Sequence, residues 1–217
     1  MKQLSNMNTS TYKYIIGLTG NIACGKSSVV AELIKLGATA VDADSVTREL
    51  QQPGQTVYQS IVATFGPTVV LPDGQLNRKE LAHIVFADAH QLRILESIVH
   101  PAVRQHILTW LAQLPEGSQS HPTVAVIDAI KLIESGWPAH CNAVWVVACD
   151  RAQQIERLCR TRNMSEAEAL QRIDAQNPQS TKFAVADVII NNTGTWDNTV
   201  IQIHHHWRAI IQQLRGS

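Results

Sequence analysis

The chain alternates short, β-branched apolar runs with longer stretches whose apolar residues recur at helical spacing. Residues 14–18, 38–41, 123–127, 143–148 and 187–190 read as buried strands. After the first run, Val29, Val30, Leu33, Ile34 and Leu36 mark an amphipathic helix that Gly37 stops. Near the end, "IQIHHHWRAIIQQL" sets Ile203, Trp207, Ile210, Ile211 and Leu214 on one helical face. Strand alternating with helix predicts an α/β fold with a doubly wound, parallel, five-stranded sheet.

Two stretches depart from simple alternation. Between the second and third strands, residues 45–122 are too many for a crossover. "RKELAHIVFADAHQLRILESIVHP" places Leu81, Ile84, Val85, Leu92, Leu95, Ile98 and Val99 at helical spacings. A helical subdomain leaning over the strand ends is expected there, where open α/β sheets bind ligands. Residues 151–180 form the second. Ser165 and Glu168 make a capping box that starts a second helix, and Asn177-Pro178 stops it. The pair carries Arg151, Arg157, Arg160, Arg162 and Arg172, which reads either as a lid over phosphates or as two charged surface helices. One domain over 14–217 is expected to contain both, after a flexible, polar lead-in over 1–13.

Candidate chemistry enters where the first strand meets the first helix. "GNIACGKS" matches G-x-x-x-x-G-K-[ST], with the strand, loop and helix of a P-loop around it. Gly20, Asn21, Ile22, Ala23, Cys24, Gly25, Lys26, Ser27 and Ser28 are therefore the expected nucleotide-binding residues. Backbone N–H groups and the positive helix end would hold an anion. Lys26 would reach the β- and γ-phosphates, and the Ser27 hydroxyl would coordinate Mg²⁺. Cys24 reads equally as a thiol activated at a helix N-terminus and as a small packed side chain.

Charge and composition narrow the field. Lysine plus arginine equals aspartate plus glutamate at 18 each, so nothing at whole-chain level favours nucleic acid or an anionic membrane. The four cysteines lack C-x-x-C spacing, so neither a zinc site nor a disulfide framework is indicated. The longest apolar run, "AVWVVAC", is too short to span a bilayer, and the first dozen residues lack the apolar core of a signal peptide. A soluble, reduced, cytoplasmic protein is expected. His204, His205 and His206 point in three directions on a helix and do not converge on one ion.

Among P-loop proteins, a GTPase would need N-K-x-D and D-x-x-G, which this chain lacks. A motor would bring more basic surface. A small-molecule kinase needs an acidic residue near the γ-phosphate and cations to neutralise the moving charge. "TAVDADS" offers Asp42 and Asp44 at the end of the second strand, expected beside the first strand's P-loop. Asp42 or Ser45 reads equally as a helix cap. Asp128, ending "TVAVID", reads either as holding Mg²⁺ through a water or as a loop residue.

Taken in order, these motifs resemble the dephospho-coenzyme A kinase family from Tyr14 to about Leu214. The likeness rests on the P-loop, "DAD" with "SVTREL", "DGQLNRKEL", "LESIVHPAV", "QIERLCRTR", "RIDAQ" and "ADVIINNTG". It implies transfer of the ATP γ-phosphate to the ribose 3′-hydroxyl of dephospho-coenzyme A, with Mg²⁺. It implies Asp44 as general base, Lys26 on the phosphates and Arg157 on the migrating phosphoryl, with Arg78, His100 and Pro101 in the acceptor region. Read without the resemblance, His100 is a helix-end histidine before a proline. The partners implied are small molecules, with no nucleic acid or membrane, in a monomer or weak homo-oligomer. The alternatives are another small-molecule P-loop kinase, for nucleosides or nucleoside monophosphates, and a non-catalytic nucleotide-binding regulatory module. The chain departs from the family at "AIKLIES", where Lys131 stands in what is commonly a proline-leucine-leucine run, while Glu134 holds the acidic place. It departs again at Arg162-Asn163 and at Cys24.

Overall fold

A computed structural model describes residues 12–216; most of the expected lead-in over 1–13 lies outside the described residues. Within them the chain forms two compact units, residues 42–114 and the remainder. The larger unit is built on five strands: β1 (Lys13–Gly20), β2 (Thr39–Asp42), β3 (Thr123–Asp128), β4 (Ala143–Ala148) and β5 (Val188–Asn191). Their order is β2-β3-β1-β4-β5. β1 runs parallel to both β3 and β4, and β4 runs parallel to β5. The runs of Val, Ile and Ala that marked these strands are buried on both faces at the centre, as parallel sheets require.

One face is covered by α1 (Lys26–Lys35) and α9 (Trp196–Gly216). Val29 and Leu33 of α1 meet Ile203, Ile210 and Leu214 of α9 over Ile16, Leu18, Val126, Trp145 and Val147 of the sheet. Ile34 departs from the expected stripe. It is 50% exposed, while Glu32 turns inward to bond His204 at 3.0 Å. The three histidines do not converge on one point, although the His205 and His206 rings meet edge-on with centroids 5.1 Å apart. His204 meets Glu32, His206 packs edge-on against Trp145, and His205 is exposed.

The remaining helices of this unit are α6 (Arg151–Arg162), α7 (Glu166–Asp174) and α8 (Gln179–Phe183). The capping box of Ser165 and Glu168 is formed. α7 stops at Asp174, ahead of the expected Asn177-Pro178, and Pro178 instead caps the start of α8. Leu158, Ala169 and Ile173 make a small core of their own, closed by Ile22 and Ala23 of the P-loop.

The second unit holds α2 (Ala43–Leu50), α3 (Thr56–Phe65), α4 (Arg78–Ala87) and α5 (Ala89–Gln113), the helical block expected from the spacing. α5 packs against the other three. Asp73-Gly74 turns a short antiparallel bridge between Val70 and Leu76, with Gly74 at φ 83°. Tyr58 donates a hydrogen bond of 2.6 Å to the Gly74 carbonyl and pins that turn. His100 is not at a helix end, as the residues alone suggested. α5 runs through Pro101, carried by buried Val99, Val103, Ile107 and Leu111 on either side. Among the described residues no helix is long and apolar enough to cross a membrane.

Candidate active site

β1 ends at Gly20, and the chain turns through five residues before α1 begins at Lys26. Gly25 caps that helix at φ 88°, with no side-chain cap and no acidic residue in the first turn. The helix start thus carries neither a capping side chain nor a carboxylate of its own, which is the arrangement that receives an anion. A Cβ on Gly25 would collide with the Asn192 amide nitrogen, and one on Gly20 would stand 2.6 Å from the Val147 carbonyl. Both positions need glycine. Ala23 adopts φ 60°, a left-handed conformation unusual for a residue with a side chain.

That conformation is held by residues far away in sequence. Gln154 of α6 donates to the Ile22 carbonyl at 2.7 Å, and Gln176 accepts from the Ile22 amide at 2.8 Å. Arg157 donates to the Ala23 carbonyl at 3.2 Å and to the Asn192 carbonyl at 2.9 Å. The Asn192 amide donates to the Cys24 carbonyl at 2.7 Å and accepts from Thr199 at 2.8 Å. Asn21 donates to the Asn177 carbonyl at 3.0 Å. Each carbonyl of residues 22–24 thus meets a fixed donor, and the loop is set before any ligand arrives.

The sheet order alters one expectation. β3 lies between β1 and β2, so the strand-end carboxylate neighbouring the P-loop strand is Asp128, not one from β2. The register pairs Leu18 with Asp128, and Lys26 reaches back to form an ion pair with its carboxylate. Asp42 resolves as the cap of α2. Its carboxylate accepts from the Asp44 amide at 3.0 Å and from the Ser45 hydroxyl at 2.6 Å. Asp44 sits one residue inside that helix.

Arg78 opens α4 and donates to Gln51 at 2.6 Å. Desolvation first, then the nearby Arg48 charge, holds its guanidinium below the ordinary value. Two cations therefore stand together in the helical unit. His100 and Pro101 lie mid-way along α5.

Cys24 is fully buried, in one core with Cys149. A hydrogen bond with the Cys149 thiol lowers its pKa first, while that contact and burial push Cys149 up. Of the two readings of Cys24, packing is the one its burial supports. The arginines of α6 and α7 divide. Arg157 turns inward, whereas Arg151 makes two exposed bonds to Asp174 at 2.6 and 2.9 Å.

For a divalent cation, the Ser27 hydroxyl is exposed at the start of α1 and Asp128 supplies a carboxylate. One hydroxyl and one carboxylate beside a phosphate cradle suit Mg²⁺, which keeps several waters and binds few protein groups. No group of three or more His, Cys, Asp or Glu that could hold a metal occurs among the described residues.

Comparison with known proteins decides the family. Residues 14–198 match the family model described as dephospho-CoA kinase. The chain belongs to the dephospho-CoA kinase family. A dephospho-CoA kinase of Symbiobacterium thermophilum is 47% identical over 90% of this chain and 80% of its own length. One of Geobacter sulfurreducens is 44% identical over 89% and 96%. A crystal structure from Thermus thermophilus superposes with a TM-score of 0.79 at 30% identity, covering 91% of this chain and 97% of that one. A shikimate kinase of Acinetobacter baumannii, at TM-score 0.51 and 15% identity, shares the fold over 92% and 94%. Membership of that kinase family implies ATP as co-substrate.

Gln154, Gln176 and Asn192 were not singled out from the sequence as site residues. Neutral amides more than 130 positions from the loop they hold carry no local signal.

Proposed function

We propose that this kinase transfers the γ-phosphate of ATP to the ribose 3′-hydroxyl of dephospho-coenzyme A, giving coenzyme A and ADP. The observation that carries the reading is the preset P-loop, with Lys26 paired to Asp128 and uncapped amides opening α1. The family supplies the acceptor.

Lys26 exchanges its carboxylate for the β- and γ-phosphates and neutralises charge on the phosphoryl group in transit. Asp44 takes the proton of the attacking hydroxyl. Arg157, whose guanidinium is already fixed on the Ala23 and Asn192 carbonyls, directs its charge to the migrating phosphoryl. Ser27 and Asp128 are the residues that would hold Mg²⁺, which would supply charge neutralisation to the phosphates. Arg78, His100 and Pro101 belong to the acceptor region, and residues 151–180 act as the lid. The protein works in the cytoplasm on small molecules, as a monomer or weak homo-oligomer.

The test is the position of the transferred group. With γ-labelled ATP, the product should carry label on the ribose 3′-oxygen by phosphorus NMR. Label at another position, or none, overturns the assignment.

A further inference from the structure

Among the described residues, Lys182 is the buried cation. It belongs to α8, is 5% exposed, and forms no ion pair among the described residues. Its ammonium donates to the Ile130 carbonyl at 3.1 Å. The same carbonyl accepts from the Thr19 hydroxyl at 3.0 Å. Ile130 lies two residues beyond Asp128, the partner of Lys26, and Thr19 immediately precedes Gly20 of the P-loop. Lys182 therefore reaches the turn that follows β3, which Thr19 ties to the end of β1, two residues beyond the carboxylate paired with Lys26.

The energetics of that placement are unfavourable on protein contacts alone. An ammonium has three donors, and one carbonyl uses one of them. Desolvation without a paired carboxylate penalises the charged form, and a second cation nearby adds to the penalty. Accordingly burial draws the Lys182 pKa below its ordinary value; Glu134 and Cys24 oppose that in part, and Lys26 adds a smaller push in the same direction as burial. A neutral donor, such as an amide or hydroxyl, would hold the Ile130 carbonyl without that penalty, and Thr19 already does so. Among the described residues no carboxylate stands within ion-pair distance of this charge, and Glu134 supports it only from farther away.

We propose that Lys182 is a further phosphate-directed cation of this site, which turns its remaining N–H groups to an oxygen of the terminal phosphate when ATP occupies the P-loop. The proposal rests on the reading of that loop as the ATP cradle. The incoming triphosphate supplies the anion that Lys182 lacks, and relieves the repulsion between Lys182 and Lys26.

The experiment compares Lys182→Gln, which keeps a donor for Ile130 and loses the charge, with Lys182→Arg, which keeps the charge. ATP and ADP affinities and kcat are measured for each, beside wild type and Lys26→Ala. Lys182→Gln should weaken ATP about tenfold or more, the scale of a lost charge-assisted hydrogen bond. ADP should weaken less, kcat should fall, and Lys182→Arg should recover most of the loss. Wild-type kcat and ATP affinity in Lys182→Gln would overturn the proposal, as would equal loss for ATP and ADP. Should Lys182→Gln fail to fold, the side-chain NMR signal of Lys182 in the wild-type protein decides: ATP should shift it and raise its pKa, and ADP should do so less. A signal that ATP leaves unmoved, or that ADP moves equally, overturns the proposal. Absence of ATP binding by wild type would instead defeat the reading of the loop.

Discussion

Lys26 and Asp128 face each other across the P-loop, 102 positions apart in sequence, as an ion pair between the first residue of α1 and the last of β3. The pairing of Leu18 with Asp128 in the sheet fixes that encounter. It neutralises a partly buried ammonium; on the proposed reading, phosphate displaces the carboxylate and frees it for a hydrated cation.

Asp128→Asn should therefore raise the Mg²⁺ concentration needed for half-maximal rate and lower kcat by about 10–100-fold, as loss of an outer-sphere metal partner does. A magnesium titration at fixed ATP reads both. An unchanged magnesium dependence with lowered kcat would leave Asp128 as the partner of Lys26 alone.

The two carboxylates of "DAD" should separate by readout. Asp42→Ala removes the cap of α2 and should cost about 1 kcal/mol of stability, with kcat near wild type. Asp44→Asn should lower kcat by roughly 10²-fold or more with little change in ATP affinity or melting temperature. Calorimetry with initial rates distinguishes them, and the reverse pattern would move the base to Asp42.

Sequence periodicity revealed all five strands, the P-loop and the helical block, because β-branched runs and an apolar stripe are local properties. Strand order was not local. Nothing in "TAVDADS" or "TVAVID" says which strand adjoins β1, and so the carboxylate beside Lys26 came from β3. The same limit explains the amides. Gln154 and Asn192 act by meeting carbonyls of residues 22 and 24, and a lone amide has no spacing rule. Pro101 misled for another reason. Helix-breaking is a preference of about 3 kcal/mol, and the buried faces of α5 on both sides override it.

Glu32 should contribute to acid sensitivity. The His204 hydrogen bond first, then Lys35, holds the Glu32 carboxyl below its ordinary value. A depressed carboxylate stabilises the fold above its unfolded pKa, near 4.5, and that stability is lost as pH falls through the lower folded value. Glu32→Gln should lower the melting temperature at pH 7 by a few degrees, equivalent to about 1 kcal/mol. The deficit should shrink as pH falls below that carboxylate range. A pH-independent deficit would assign Glu32 to packing alone.

Thiol chemistry should follow burial. Cys159 is the partly exposed cysteine, while Cys24, Cys141 and Cys149 are buried. Brief treatment with iodoacetamide should label Cys159 first and leave the P-loop intact, by peptide mass mapping with activity measured in parallel. Early labelling of Cys24 that ATP blocks would restore the reading of an activated thiol.

The central claim is that phosphate passes from ATP on the P-loop to the ribose of dephospho-coenzyme A. Its most direct test is kcat/KM with ATP and Mg²⁺ across dephospho-coenzyme A, AMP and adenosine. The account predicts a preference for dephospho-coenzyme A of about 10²-fold or more, abolished for all acceptors by Lys26→Ala. Equal kcat/KM for AMP or adenosine would contradict it and leave a nucleoside or nucleoside-monophosphate kinase in its place.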